Sequence, residues 1–268
     1  MGYGFFDYKG LIPDVYKTGM FTPEHIVLIV LVYLIAIFLP ILLRRAQRRK
    51  ITIFLRVLSI VMVVWEATKI TWESYFDITI GDGRFNFEGI LPLYTCSLFI
   101  YTLLVAAWTH GRVQKIALSF ITTIGLLYGA IGVIYCNGLN WYPLFSFGGL
   151  YSFLFHSTMF VTGMILLITG YHELQWKDSL WAMIPILILS VLAIPANYRW
   201  GADYMLLHTG SGVPLYEDIA AWLASKGLRF LYTVLMLATH IPLACIIIAA
   251  ATLIRTLFAK LSKKSEQA

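Results

Sequence analysis

Five hydrophilic or nucleophilic side chains stand inside otherwise apolar runs of this chain: Glu66, Cys96, His156, Asn197 and His240. Their types suggest one chemistry. A thiol beside an imidazole can serve as nucleophile and general base, and a carboxylate can orient either of them. An amide can donate to a developing oxyanion. Charge in hydrocarbon is costly, so an ionisable residue there is a candidate for function. A bland account stands beside each. A buried cysteine usually packs as a small apolar residue, and a buried histidine is commonly a satisfied structural one.

Two stretches concentrate further polar groups. "WEATKITWE" spaces Glu66, Lys69 and Glu73 three and four apart, which puts them on one helix face. They form either a structural ion lock or the polar wall of a site, and Lys69 and Glu73 could snorkel to the surface. "IPANYRWGADYMLLHTGSG", residues 194–212, gathers Asn197, Tyr198, Asp203, Tyr204 and His208 between two apolar runs. Gly201 permits backbone shapes closed to other residues, so this loop could dip back and cap a cavity. An ordinary interfacial loop fits equally well.

Apolar elements must hold these groups. Of 268 residues, 59% are hydrophobic and 13% charged, against about 25% charged in soluble domains. Runs of about 18 or more apolar residues match the roughly 30 Å of bilayer hydrocarbon, and backbone in lipid must satisfy itself as helix. The expected fold is all-α, a polytopic membrane protein of seven transmembrane helices near 25–43, 51–70, 91–109, 116–136, 148–170, 179–196 and 229–256. Residues 1–24 form an N-terminal segment, 25–258 the membrane domain and 259–268 a basic tail.

Charge placement sets orientation, because Lys and Arg accumulate in cytoplasmic loops. Twelve of them (Arg44, Arg45, Arg48, Arg49, Lys50, Arg112, Lys115, Lys177, Arg255, Lys260, Lys263 and Lys264) fall on one side; six, more sparsely, fall on the other. The N-terminus is therefore expected outside and the C-terminus in the cytoplasm. The net charge of +6 then reflects topology, and nucleic acid is not an expected partner. The first residues lack the basic start and apolar stretch of a signal peptide. Cys96, Cys136 and Cys245 form no CxxC pair, and the histidines show no ligand spacing, so neither metal nor cofactor is expected. The last apolar run, 231–254, has no lysine, which removes a retinal Schiff base.

At 1.5 Å per residue, Glu66 lies about 6 Å, Cys96 about 8 Å, His156 about 12 Å and His240 about 16 Å below the outer ends of their spans. Asn197 closes span six on that side. One polar layer in the outer half predicts a cavity opening outward.

Three segments carry a resemblance: "LRVLSIVMVVWEATKITWESY", "LPLYTCSLFIY" and "NYRWGADYM". Together they are similar to the YwaF-like integral membrane family, which includes vertebrate transmembrane protein 164, over about residues 25–258. "LPLYTCSLFIY" resembles that family's Leu-Pro-Leu-His-Leu-Cys opening of span three. "NYRWGADYM" resembles its Asn-Tyr-x-x-Gly-Thr-Asn-Tyr-Met. His156 falls where the family usually has a histidine. The resemblance implies lipid acyl chemistry, since the vertebrate member is described as moving acyl chains between phospholipids through a cysteine. Leu93 stands where that cysteine aligns and Tyr94 where a histidine aligns; Cys96 matches the bacterial form. A tyrosine with a pKa of about 10 is no base near neutral pH.

The expected function is a membrane-embedded enzyme of phospholipid acyl transfer or hydrolysis. His156 is its base, Cys96 its nucleophile or a pocket wall, and Glu66 an orienting group. Tyr94, Asn197, Tyr198, Asp203, Tyr204 and His240 surround the substrate. The same cavity could instead hold a lipid or small-molecule ligand for binding or transport, or be structural in a membrane scaffold. Membrane lipids are the expected partners, and the expected location is a bacterial plasma membrane, crossed several times.

Overall fold

The computed structural model describes residues 2–266, with side chains through Thr256. Lys260, Lys263 and Lys264 of the expected basic tail thus lie outside the described side chains. Every element among the described residues is helical. Helix α1 (Pro23–Leu42) opens with proline at its first position, where the missing N–H costs nothing. Helix α2 (Arg48–Thr79) follows, then the short α3 (Leu98–Trp108) and α4 (Gly111–Phe120). A π-helical turn, 121–125, joins α4 to α5 (Leu126–Ile134). Ser146 caps α6 (Phe147–Ile168) by accepting from the Gly149 N–H. The short α7 (Asp178–Trp181) leads into α8 (Met183–Trp200), which ends on left-handed Gly201, the usual helix stop. A surface helix α9 (Pro214–Ser225) precedes α10 (Arg229–Glu266), whose backbone runs on into the tail.

Six of these segments are long and apolar enough to cross a membrane: Pro23–Leu42, Arg48–Thr79, Gly111–Asn140, Phe147–Ile168, Asp178–Trp200 and Arg229–Thr256. The remaining expected span, the third at 91–109, is different. Residues 91–97 are irregular, and α3 has only 11 residues, about 16 Å of helix. Proline at 92 and the close polar groups 94–97 interrupt the helix that apolarity alone would predict.

Helices α1 and α10 lie at the periphery, and the α4–α5 segment is the most enclosed. Outward-facing residues include Phe38, Val64, Ile188, Val191, Leu192 and Ile246, an apolar belt suited to lipid. Lipid removes most of the hydrophobic drive between helices, so close packing through small residues must hold them together. Helices α5 and α6 do so. A Cβ on Gly129 would meet the Phe160 backbone, one on Gly163 would meet the Leu126 side chain, and one on Gly132 would collide with the His156 ring.

Contacts define two faces. Phe147 N donates to Phe5 O, Trp72 Nε1 to Phe6 O and Gly19 N to Leu139 O, so the N-terminal segment covers the end of α2 and the start of α6. On the opposite face, Arg48 donates to Tyr171 O and Ser119 to Asp178. Helix α2 continues nine residues beyond the expected end of its span. Its added turns are covered by Tyr8, which stacks on Phe76 and lies edge-on to Trp72.

Candidate functional site

Helix α2 places Glu66, Lys69 and Glu73 on one face, as their spacing requires. All three line a cavity of about 210 Å³, together with Leu91, Pro92, Tyr94, Cys96 and Ser97 from the irregular segment. The far wall comes from α6, with Tyr151, Ser152, Phe155 and His156, and from Gly138. Glu66 is 7% exposed and accepts a hydrogen bond from the Tyr151 hydroxyl. Lys69 Nζ lies 2.8 Å from Glu73 Oε2 and donates to Ile90 O at 3.2 Å. Neither residue of that pair snorkels away, since their side chains are only 14% and 18% exposed. Glu66 is not part of that ion pair; its partner is the tyrosine.

The tautomer of His156 follows from its neighbour. Nδ1 lies 2.9 Å from the Ser152 carbonyl oxygen, an acceptor only, so Nδ1 carries the proton. Nε2 is then the atom with a free lone pair. Gly132 gives the ring room against α5. Cys96 immediately precedes Ser97, the N-cap of α3, so the sulfur stands near the positive end of that helix. Gly138 makes space for Ser152, whose hydroxyl lies 3.4 Å from the Cys136 thiol.

Glu66, Cys96, His156 and Tyr94 therefore share one cavity. The other expected binding residues do not line it. Asn197 is 1% exposed and clasps Tyr204 from both sides, donating to its carbonyl (3.0 Å) and accepting from its N–H (2.7 Å). Its amide is turned to that backbone and does not line the cavity where an oxyanion would form. Asp203 accepts from His208 N, Thr209 N, Thr209 Oγ1 and Ser211 N, and so organises its own loop. Tyr198 is 57% exposed and packs on His208. His240 hydrogen-bonds Tyr128 at 3.0 Å and does not line the cavity. Depth along a helix fixes height, but the facing direction decides what meets; that is why Asn197 and His240 fall elsewhere.

Tyr204 acts from behind the site. It is buried, its hydroxyl donates to Phe87 O (2.7 Å), and it accepts from Leu91 N (3.2 Å). Its ring lies edge-on to Tyr94, 4.9 Å between centroids. Burial, reinforced by Glu73 and Glu88 and opposed by the Leu91 N–H, pushes the phenol up to about 12. It is thus a neutral donor at physiological pH, fastening the segment that carries Tyr94 and Cys96. The loop closes the site's back wall through this contact.

Two wall residues, Tyr151 and Ser152, carry little signal in the sequence. Ser152 stands one helical turn before His156 and so shares its face, which is the clue that could find it. Tyr151, one position earlier, is hidden among sixteen tyrosines.

No curated protein and no solved structure matches this chain. The family model of the TMEM164 family does match, over residues 20–252. That range runs from before α1 into α10 and contains every wall of the cavity, and so the chain belongs to the TMEM164 family of multi-pass membrane proteins.

Proposed function

We propose that this protein is a membrane-embedded enzyme of phospholipid acyl chemistry, with Cys96 as nucleophile and His156 as general base. The observation carrying this reading is the shared cavity: thiol, imidazole and carboxylate come from three different elements to the lining of one partly open space. The space holds about seven water volumes. That suits an ester group and its nearest atoms, while the remaining lipid extends into the bilayer.

In this reading Cys96 Sγ attacks the ester carbonyl carbon as its proton passes to His156 Nε2. The negative oxygen develops near the N-terminus of α3 and the Lys69 ammonium, both suited to stabilise it. The carbon–oxygen bond then breaks, and His156 returns the proton to the departing lipid alkoxide. Water, or a hydroxyl of another lipid, attacks the thioester and restores the thiol. Glu66, held by Tyr151, and the Lys69–Glu73 pair set the polarity of the wall. Asn197 and Tyr198 have no part in it.

The chain crosses the membrane seven times in this reading, with its N-terminus outside. The end of α2 and the start of α4 lie on opposite faces, which supports one passage through the irregular segment and α3. Irregular backbone at depth is tolerated where protein or a cavity surrounds it, and the Tyr204 clasp with the cavity supplies both.

A ligand-holding protein without turnover is the alternative reading. It is favoured by Glu66 being already engaged by Tyr151 and by the small size of the cavity. Lipid acyl profiles of cells with the gene, without it, and with His156→Ala or Cys96→Ala separate the two. The enzyme reading expects the wild-type profile alone to differ. Identical profiles in all four strains would overturn it, and lipid-induced thermal stabilisation without turnover would then favour the alternative.

A further inference from the structure

The face opposite the cavity carries another feature. Two adjoining hollows of about 640 and 330 Å³ share Gly111, Lys115, Lys177 and Trp181. Arg112 lines the first, while Arg48, His172, Glu173 and Asp178 line the other. Four cations thus face two carboxylates. Asp178 is already engaged, accepting from Ser119 Oγ (2.9 Å) and Gln175 N (2.6 Å). Among the described residues, no carboxylate pairs with Arg112, Lys115 or Lys177. His172 is 7% exposed, yet its Nε2 has no hydrogen-bond partner and lies 3.5 Å from Asp178 Oδ2. That atom is in long ion-pair contact with Asp178, and His172 lines the basic hollow.

The larger hollow meets an apolar groove at Ile116, which lines both. That groove, of about 560 Å³, runs between α3, α4 and α8 from Val113 and Ile184 to Leu98 and Leu192. Its length along α8 is about 12 Å at 1.5 Å per residue. A basic mouth continuous with an apolar groove complements one kind of occupant: a phosphate with a hydrocarbon chain attached. Trp181 lines both hollows, and such an amphipathic ring suits the level of the headgroups.

We propose that this face holds an anionic phospholipid. Its phosphate sits between Lys115, Lys177 and Arg112 within reach of His172, and one acyl chain lies in the α3–α4–α8 groove. This lipid is a bound partner, separate from any substrate at Cys96.

The full chain is purified, delipidated and equilibrated with equal amounts of phosphatidylglycerol and phosphatidylcholine, and retained lipid is read by native mass spectrometry. Phosphatidylglycerol should be preferred by at least about fivefold, the worth of one lysine near an anionic headgroup. Lys115→Gln with Lys177→Gln should bring the ratio to near one. Ile188→Trp, at a lipid-facing position that lines the groove, should reduce retention of the chain whatever its headgroup. Arg45→Gln with Arg49→Gln, on the same face but outside the hollows, should leave the preference intact. A wild-type ratio near one would overturn the proposal, as would equal loss in the control pair, which indicates diffuse surface charge. Displacement of the lipid by millimolar inorganic phosphate would assign the hollow to a free anion and overturn it too. Retention is read without turnover, so the result is independent of the acyl chemistry proposed at Cys96.

Discussion

At the scale of single residues, His156 and Glu66 differ in what secures them. His156 is oriented by a backbone carbonyl of its own helix, which no side-chain substitution elsewhere removes. Glu66 depends on one phenol from another helix. His156→Ala should therefore reduce acyl turnover by about 10²–10⁴-fold, the usual contribution of a positioned base, with little change in folded yield. Tyr151→Phe should act in the other direction. It leaves a buried carboxylate short of a donor, at a cost of about 1.5–3 kcal/mol, visible as a lower unfolding temperature in detergent. If Tyr151→Phe leaves the unfolding temperature unchanged while His156→Ala lowers it, the two roles are reversed. Gly132→Ala tests the same point from α5. A methyl there displaces the His156 ring, so activity should fall as with His156→Ala while Cys96 remains open to a thiol reagent.

At the scale of elements, the sequence is most informative where helical spacing governs the outcome. Glu66, Lys69 and Glu73 share a face because they are three and four apart, and they line the cavity together. Cys96 and His156 stand out by type and depth. The Asn-Tyr stretch is legible as special, but its task is not. Whether Asn197 faces a ligand or a backbone depends on how the chain returns after Gly201, which involves left-handed Met205 and Leu206; nothing in those residue types announces it. The end of α2 is obscured for a related reason: Lys69, Glu73 and Asp77 resemble a span boundary until the N-terminal segment is seen to cover them. The clasp carries a specific expectation. Asn197→Ala leaves the Tyr204 N–H buried without a partner, at about 1–3 kcal/mol, while the Tyr204 carbonyl keeps the Leu207 N–H at 3.3 Å. Tyr204→Phe removes the tie to Phe87 and Leu91 and should cost less. Both should increase proteolysis within 81–97, and a cleavage pattern identical to wild type would contradict the view that this loop holds the cavity's back wall.

At the scale of the whole molecule, the sense of the bundle in its membrane decides which leaflet the cavity serves. The faces themselves follow from contacts. The N-terminal segment, the end of α2 and the start of α6 lie together, and Arg48, Tyr171 and Asp178 lie on the other side. Helix α8 starts near the Asp178 side, at Met183, and its end carries the Asn197 clasp, which the Tyr204 hydroxyl ties to Phe87 and Leu91 beside the cavity. The seven passages proposed would put the two ends of the chain on opposite faces, and the charge bias would turn the N-terminal face outward. Asp82, in the loop after α2, and Arg45, between α1 and α2, are on opposite sides in this arrangement. Single cysteines at Asp82→Cys and Arg45→Cys, in a chain whose Cys96, Cys136 and Cys245 are replaced by alanine, report on it directly. A membrane-impermeant maleimide applied to intact cells should label the first and spare the other until the membrane is opened. The reverse pattern would turn the cavity toward the cytoplasm and move the basic hollows outward, away from the leaflet where positive residues normally gather. Labelling of both positions in intact cells would mean an even number of passages between them. The segment 91–108 would bear no part in that result, since it lies beyond both probes, so a third cysteine at Thr109→Cys tests it. Protection of that residue in intact cells, alongside labelling at Asp82→Cys, is what a chain crossing through the short α3 requires.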